Sequence, residues 1–95
     1  MVVILTNVDG LHAGGEGGPL VPIVECIDDD IRAHASKGVH PLGLGGMLSK
    51  VEAAKMITSN GIEVVIGKGD AALDGLIIGS APRTVFRAQR RIAQS

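Results

Sequence analysis

Gly43-Leu44-Gly45-Gly46-Met47-Leu48-Ser49-Lys50-Val51-Glu52-Ala53-Ala54-Lys55-Met56-Ile57-Thr58-Ser59-Asn60-Gly61-Ile62-Glu63-Val64-Val65-Ile66 is the stretch whose reading decides the fold. Met47, Val51, Ala54 and Thr58 recur at helical spacing, with Leu48 and Ile57 beside them, so a helix is predicted from Met47 to about Ser59. Glu52 and Lys55 stand three apart on the face left for solvent. Asn60-Gly61 stops the helix, because Gly accepts the left-handed backbone that closes its last turn. Ile62 to Ile66 then reads as a buried strand, and Gly67-Lys68-Gly69 as a sharp turn at its end. A helix leading directly into a buried strand is the second half of an α/β unit.

Upstream, Val2-Val3-Ile4-Leu5 is an unbroken β-branched and apolar run, as expected of a strand buried on both faces. It ends in the polar turn Thr6-Asn7-Val8-Asp9-Gly10, and Ala13 to Gly18 is a flexible loop. Pro19 to Glu25 reads as a short strand or an extended segment, with Pro22 making it an edge strand or a broken one. Asp28-Asp29-Asp30 caps a short helix over Ile31 to Ala35, where carboxylates suit free N–H groups and the positive dipole end. Gly38 ends that helix, and a second loop runs from Val39 to Gly46. Downstream, Asp70 is expected to cap a short helix to Leu73, Leu76-Ile77-Ile78 to form another strand, and Thr84 to Gln94 a terminal helix or tail. The order predicts an α/β fold with a mainly parallel sheet.

Composition narrows the function. The aromatic fraction is 1%, Phe86 alone, which removes base stacking as a binding device. Nine basic against ten acidic residues leave a net charge of −1, so no global field draws the chain to nucleic acid or to an anionic membrane. No apolar run approaches the ~20 residues of a membrane span, and the N-terminus lacks the pattern of a signal peptide. Cys26 is the only cysteine, which fits a reducing, cytoplasmic setting and a small core residue. His12, His34 and His40 are too scattered for a metal site and read as solvated imidazoles. Arg83, Arg87, Arg90 and Arg91 read as a solvated face or, as the lesser alternative, a contact with a partner subunit or phosphate.

Fourteen glycines in 95 residues are the strongest compositional signal, and their clustering in loops points to a small-molecule site. Gly45 and Gly46 would let backbone N–H groups face an anion at the start of a helix, while Lys50, a turn inside, reaches a terminal phosphate. The P-loop spacing G-x-x-x-x-G-K-[ST] is absent, and so is G-x-G-x-x-G. The same letters also read as a tight loop before an ordinary helix with Lys50 solvated. Lys68 and Gly69, after a strand, either line the adenine or ribose region or form a plain turn.

Leu5-Thr6-Asn7-Val8-Asp9-Gly10-Leu11, followed by Gly43 to Ala54 and then Gly61-Ile62, resembles the later part of an amino acid kinase domain. That family's pattern is roughly L-T-D-x-x-G-L, then G-T-G-G-M-x-T-K-x-x-A-A, then a Gly ahead of a strand. The resemblance is strongest to its glutamate 5-kinase branch, which phosphorylates the glutamate side-chain carboxylate with Mg-ATP at the start of proline synthesis. It implies that residues 1–95 are a single domain or a fragment, the nucleotide-binding part of a three-layer sandwich with a mainly parallel sheet.

Carried over, it implies that Thr6 and Asn7 belong to one nucleotide loop. Leu44, Gly45, Gly46, Met47, Leu48, Ser49 and Lys50 form the other, with Lys50 as the electrostatic catalyst and Gly45, Gly46 and Ser49 as phosphate donors. ATP and Mg2+ are the implied cofactors, and an amino acid the implied acceptor. Asn7 stands where the family has Asp, Leu44 where it has Thr, and Arg83-Thr84 where it has Gly-Thr. The family's first phosphate loop, that loop's lysine and most of the acceptor pocket precede the strand that begins here at Val2. A chain starting there is expected to be incomplete for catalysis alone, or to be a non-catalytic nucleotide-binding or assembly module derived from such a kinase. An exposed strand edge in so small a sheet predicts a homo-oligomer.

Overall fold

The computed structural model describes residues 1–15, 17–36, 46–70 and 73–89. Strands β1 (Val2–Thr6) and β2 (Ile23–Val24) come first, then helices α1 (Asp29–Ser36) and α2 (Met47–Thr58), strand β3 (Val64–Lys68), helix α3 (Leu73–Ile78) and strand β4 (Arg83–Phe86). They build one four-stranded sheet in the order β1-β3-β4-β2. The pairs β1–β3 and β2–β4 are parallel and β3–β4 is antiparallel, so the sheet is mostly parallel.

Each face of the sheet has its own helical layer. Val64, Ile66, Phe86 and Val24 face α1 and α2, packing with Val51 and Ala54 of α2 and Ala35 of α1. Val65 and Val85 face the other way and pack with Leu76 of α3. The strand period of two sorts neighbouring residues to opposite layers, which gives the expected three-layer α/β arrangement. On α2, the predicted stripe of Val51, Ala54 and Thr58 is buried, and Gly61 closes the helix at φ +81°. On α1, the Asp28 carboxylate accepts from the Ile31 N–H at 3.0 Å, the expected cap.

Several boundaries differ from the sequence reading. Strand β1 is half-buried, with Leu5 52% exposed, because among the described residues β3 alone flanks it. Gly67 and Lys68 are part of β3 rather than a turn, paired with Leu5 and Thr6, and the chain turns at Gly69-Asp70. Gly67 is needed for packing, since a Cβ there would collide with the Leu76 side chain. Leu76-Ile77-Ile78 is helical, not a strand. Leu73, Leu76 and Ile77 have i, i+3, i+4 spacing, and a short apolar run does not distinguish helix from strand. Helix α3 starts at Leu73, after Asp70, instead of ending there.

Arg83 to Phe86 is a strand inserted between β3 and β2, where a helix or tail was expected. Positions 90–95 of that segment lie outside the described residues, as do Gly38 and the loop through His40 to Gly45. Arg83 is not simply solvated, for its Nη1 donates to the Leu76 and Ile77 carbonyls at 2.8 and 3.2 Å, satisfying the open end of α3. Cys26 is exposed, not in the core, because the turn after β2 sends Val24 and Ile27 inward instead.

Candidate functional site

One end of the sheet gathers most of the described candidate residues. Parallel pairing of β1 with β3 puts Thr6 beside Lys68, and the Gly69 N–H donates to the Thr6 carbonyl at 2.7 Å. Thr6, Asn7, Lys68 and Gly69 are therefore brought together at the C-terminal ends of two parallel strands, where α/β folds bind ligands. The Thr6 hydroxyl donates to the Asn7 side-chain oxygen at 3.3 Å. Helix α2 is joined to β3 by a short turn and runs back along it, so its first residues project toward the same end of the sheet.

Those first residues have distinct environments. Gly46 has φ −65°, which any residue adopts, and a Cβ there would meet no described atom, so the described packing does not demand glycine. No described side chain caps α2. Met47 and Leu48 are half-buried, with their side chains packed against the core. The Ser49 N–H and hydroxyl both turn back to the Gly46 carbonyl, at 3.0 and 2.8 Å, so the hydroxyl proton expected for phosphate is committed within the turn. Lys50 is half-exposed one turn into the helix. Leu44 and Gly45 lie outside the described residues.

The segment between Asn7 and Pro22 links β1 to β2 on the far side of the sheet. Because β4 runs antiparallel to β3, with Arg83 beside Gly67, this segment crosses the same sheet end that carries Thr6 and Lys68. Side chains that the sequence reading missed hold it there. Buried Thr84 accepts the Leu11 N–H at 2.9 Å and donates to the Val21 carbonyl at 2.7 Å. Gly10, at φ +157°, lies so close that a Cβ would strike the Thr84 hydroxyl.

His12 and His34 are not merely solvated imidazoles. The His12 ring contacts the Asp9 carboxylate at 2.6 Å and the Gly18 carbonyl at 2.7 Å. Both partners only accept, so both contacts are hydrogen bonds when both ring nitrogens carry protons. His34 of α1 accepts the Gly14 N–H at 2.9 Å. His40 lies outside the described residues. The signal for this stitching was local only at Asp9-Gly10; Thr84 is more than seventy positions from Leu11.

Among the described residues, no group of three or more His, Cys, Asp or Glu side chains could hold a metal ion. No described helix is long and apolar enough to cross a membrane. No protein-family model matches the chain. It is 37% identical to a glutamate 5-kinase of Idiomarina loihiensis over 90% of this chain and 25% of that protein. A glutamate 5-kinase of Syntrophus aciditrophicus is 38% identical over 95% of this chain and 25% of its own length. The chain is a relative of the glutamate 5-kinases. A third such kinase, glutamate 5-kinase 1 of Pseudoalteromonas translucida, is 35% identical over 90% of the chain. The chain spans about a quarter of the length of these curated relatives.

Proposed function

We propose that the chain is the nucleotide-holding part of an ATP-dependent phosphotransferase of the glutamate 5-kinase type. Its acceptor is a carboxylate, glutamate, converted to glutamyl 5-phosphate at the cytoplasmic start of proline synthesis. The observation that supports the reading is convergence: Thr6-Asn7, Lys68-Gly69 and the first turn of α2 share one end of the sheet. The Thr6-Asn7 turn and the described first turn of α2, some forty residues apart in sequence, both support this reading.

Phosphoryl transfer asks mainly for positioning and charge stabilisation. The α2 N–H groups and the helix dipole suit phosphate oxygens, and Gly46 leaves room for them. Lys50 neutralises the negative charge that develops on the transferring group, and Thr6, Asn7, Lys68 and Gly69 line the rest of the nucleotide. Mg2+ travels with ATP, held by phosphate and water more than by protein. A second reading, a non-catalytic nucleotide-binding or assembly module, is favoured by Asn7, which withdraws a carboxylate from the first loop.

Calorimetric titration of Mg-ATP into wild type and Lys50→Ala tests the nucleotide site. A hydrogen-bonded charge is worth about 1.5–3 kcal/mol, so affinity should fall roughly 10- to 100-fold and weaken with salt. Equal affinities without salt dependence would remove Lys50 from the site. Hydroxamate trapping with glutamate then separates the two readings, since ATP binding without acyl phosphate supports the module.

A further inference from the structure

We propose that the glycine-rich loop between β1 and β2 is a proton-sensing clamp, held by two histidines that need opposite protonation states. Acid releases its Gly14 anchor on α1, and alkali releases its anchor at His12. The inference is independent of the nucleotide reading.

The His34 anchor requires a neutral ring. The Gly14 N–H donates to Nδ1 of His34 at 2.9 Å, so that nitrogen carries a lone pair and the ring proton sits on Nε2. A proton added to the ring goes to Nδ1 and sets two N–H groups against each other, and the bond is lost. The His12 anchor requires a charged ring. Its Nδ1 stands 2.7 Å from the Gly18 carbonyl and its Nε2 2.6 Å from the Asp9 carboxylate, two groups that only accept. A neutral ring has one proton for these two acceptors, so its loss of the second leaves a nitrogen lone pair facing an oxygen.

The surrounding charges leave this opposition in place. Asp9 faces His12, which is 21% exposed, and Leu20, bridged to His12 across the loop, brings no charge. Helix α1 carries Asp30 one turn before His34, and α2, packed against α1, carries Lys50, Glu52 and Lys55. Glu52 pairs with Arg32, and no carboxylate contacts the His34 ring among the described residues. Glu16, between the two anchors, lies outside the described residues.

Free imidazole titrates near ~6.5, so the two requirements cross within the physiological range. Between the anchors, the Ala13 N–H donates to the Pro19 carbonyl at 2.8 Å and the Gly18 N–H to the Gly15 carbonyl at 3.1 Å, and both bonds depend on the loop staying closed. The segment crosses the sheet end that carries Thr6 and Lys68. Proton uptake by His34, or proton loss from His12, therefore loosens the chain over that end.

Nitrogen-15 spectra of the two rings and amide exchange of the chain, followed from about pH 5 to pH 8.5, test the proposal. Exchange is expressed relative to an unstructured peptide at each pH. As pH falls, His34 should pass from the Nε2–H tautomer to the cation, and Gly14 protection should drop roughly 2- to 10-fold in step, the weight of one hydrogen bond. As pH rises and His12 loses its proton, Ala13 and Gly18 protection should drop by a similar factor. His34→Asn keeps an acceptor oxygen near the Nδ1 position without titrating, and should flatten the Gly14 profile alone. His12→Gln keeps one donor toward Asp9, and should flatten the Ala13 and Gly18 profiles alone. Gly14 protection that is constant into acid, or a neutral His34 ring carrying its proton on Nδ1, would overturn the proposal. So would Ala13 and Gly18 profiles that ignore the charge on His12, or profiles that survive the matching substitution. Should either variant fail to fold, the wild-type ring spectra and amide profiles decide the matter alone.

Discussion

Thr84→Val keeps the shape of a side chain and deletes one hydroxyl, which isolates what that hydroxyl does. Thr84 is fully buried, and so is Leu11, whose N–H it accepts at 2.9 Å. Its second bond, to the Val21 carbonyl, is 2.7 Å long. Valine leaves both partners without a mate, and a buried unsatisfied polar group costs about 1–3 kcal/mol. Val21 is half-buried, so water recovers part of that side, and the expected loss is about 2–4 kcal/mol. For a domain of this size each kcal/mol shifts Tm by roughly 4–8 °C, so a fall of ~10 °C or more follows. Thr84→Ser keeps the hydroxyl and removes one methyl, at about 1 kcal/mol. Urea melts of the three proteins should therefore rank wild type, Ser, Val in falling stability. Hydrogen exchange should quicken at Leu11 in the valine variant alone. Valine equal to or more stable than serine would refute the account of Thr84 as the tie that holds the crossing segment.

Gly67→Ala forces a Cβ into Leu76 and should destabilise by about 1–3 kcal/mol in a urea melt, through overpacking of the α3 layer. Asp28→Ala removes the α1 cap and should lose about 1 kcal/mol in the same melts, with Asp28→Asn recovering most of it. Arg32→Ala breaks the pair to Glu52, 3.1 Å long between half-exposed and exposed side chains. A double-mutant cycle with Glu52→Ala should give no more than ~1 kcal/mol of coupling, reduced by salt.

How much of this was legible in the sequence depends on the range of the interaction that fixes each element. Helix α2 and its glycine stop were readable because spacing, stop signal and buried stripe lie within sixteen residues and agree. The Asp28 cap was local too. Strand β4 was missed because Arg83 and Arg87 flank only three strand residues, Thr84 to Phe86, and its place between β3 and β2 is set by pairing with distant chain. The third apolar run was misassigned because Leu76-Ile77-Ile78 carries strand-forming isoleucines; the requirement that decides for helix is coverage of Gly67 by Leu76, invisible without the sheet.

The candidate site divides along the same line. Its two motifs could be seen as letters, yet what sets Thr6 beside Lys68 is the parallel register of β1 with β3, and what directs the described first turn of α2 is its packing back along β3. Period-two alternation makes that register strict. A one-residue slip of β1 would turn Val2 and Ile4 from the α1–α2 layer to the α3 layer and carry Thr6 away from Lys68. The apolar residues that fix the register are thus also what positions the polar ones. The crossing segment, rich in glycine, has only the Asp9–His12 contact as an internal guide, and it borrows the rest of its order from Thr84 and His34. Loss of a borrowed tie should therefore disturb this sheet end before it disturbs the core, whereas damage at Val64 or Ile66 should remove both together.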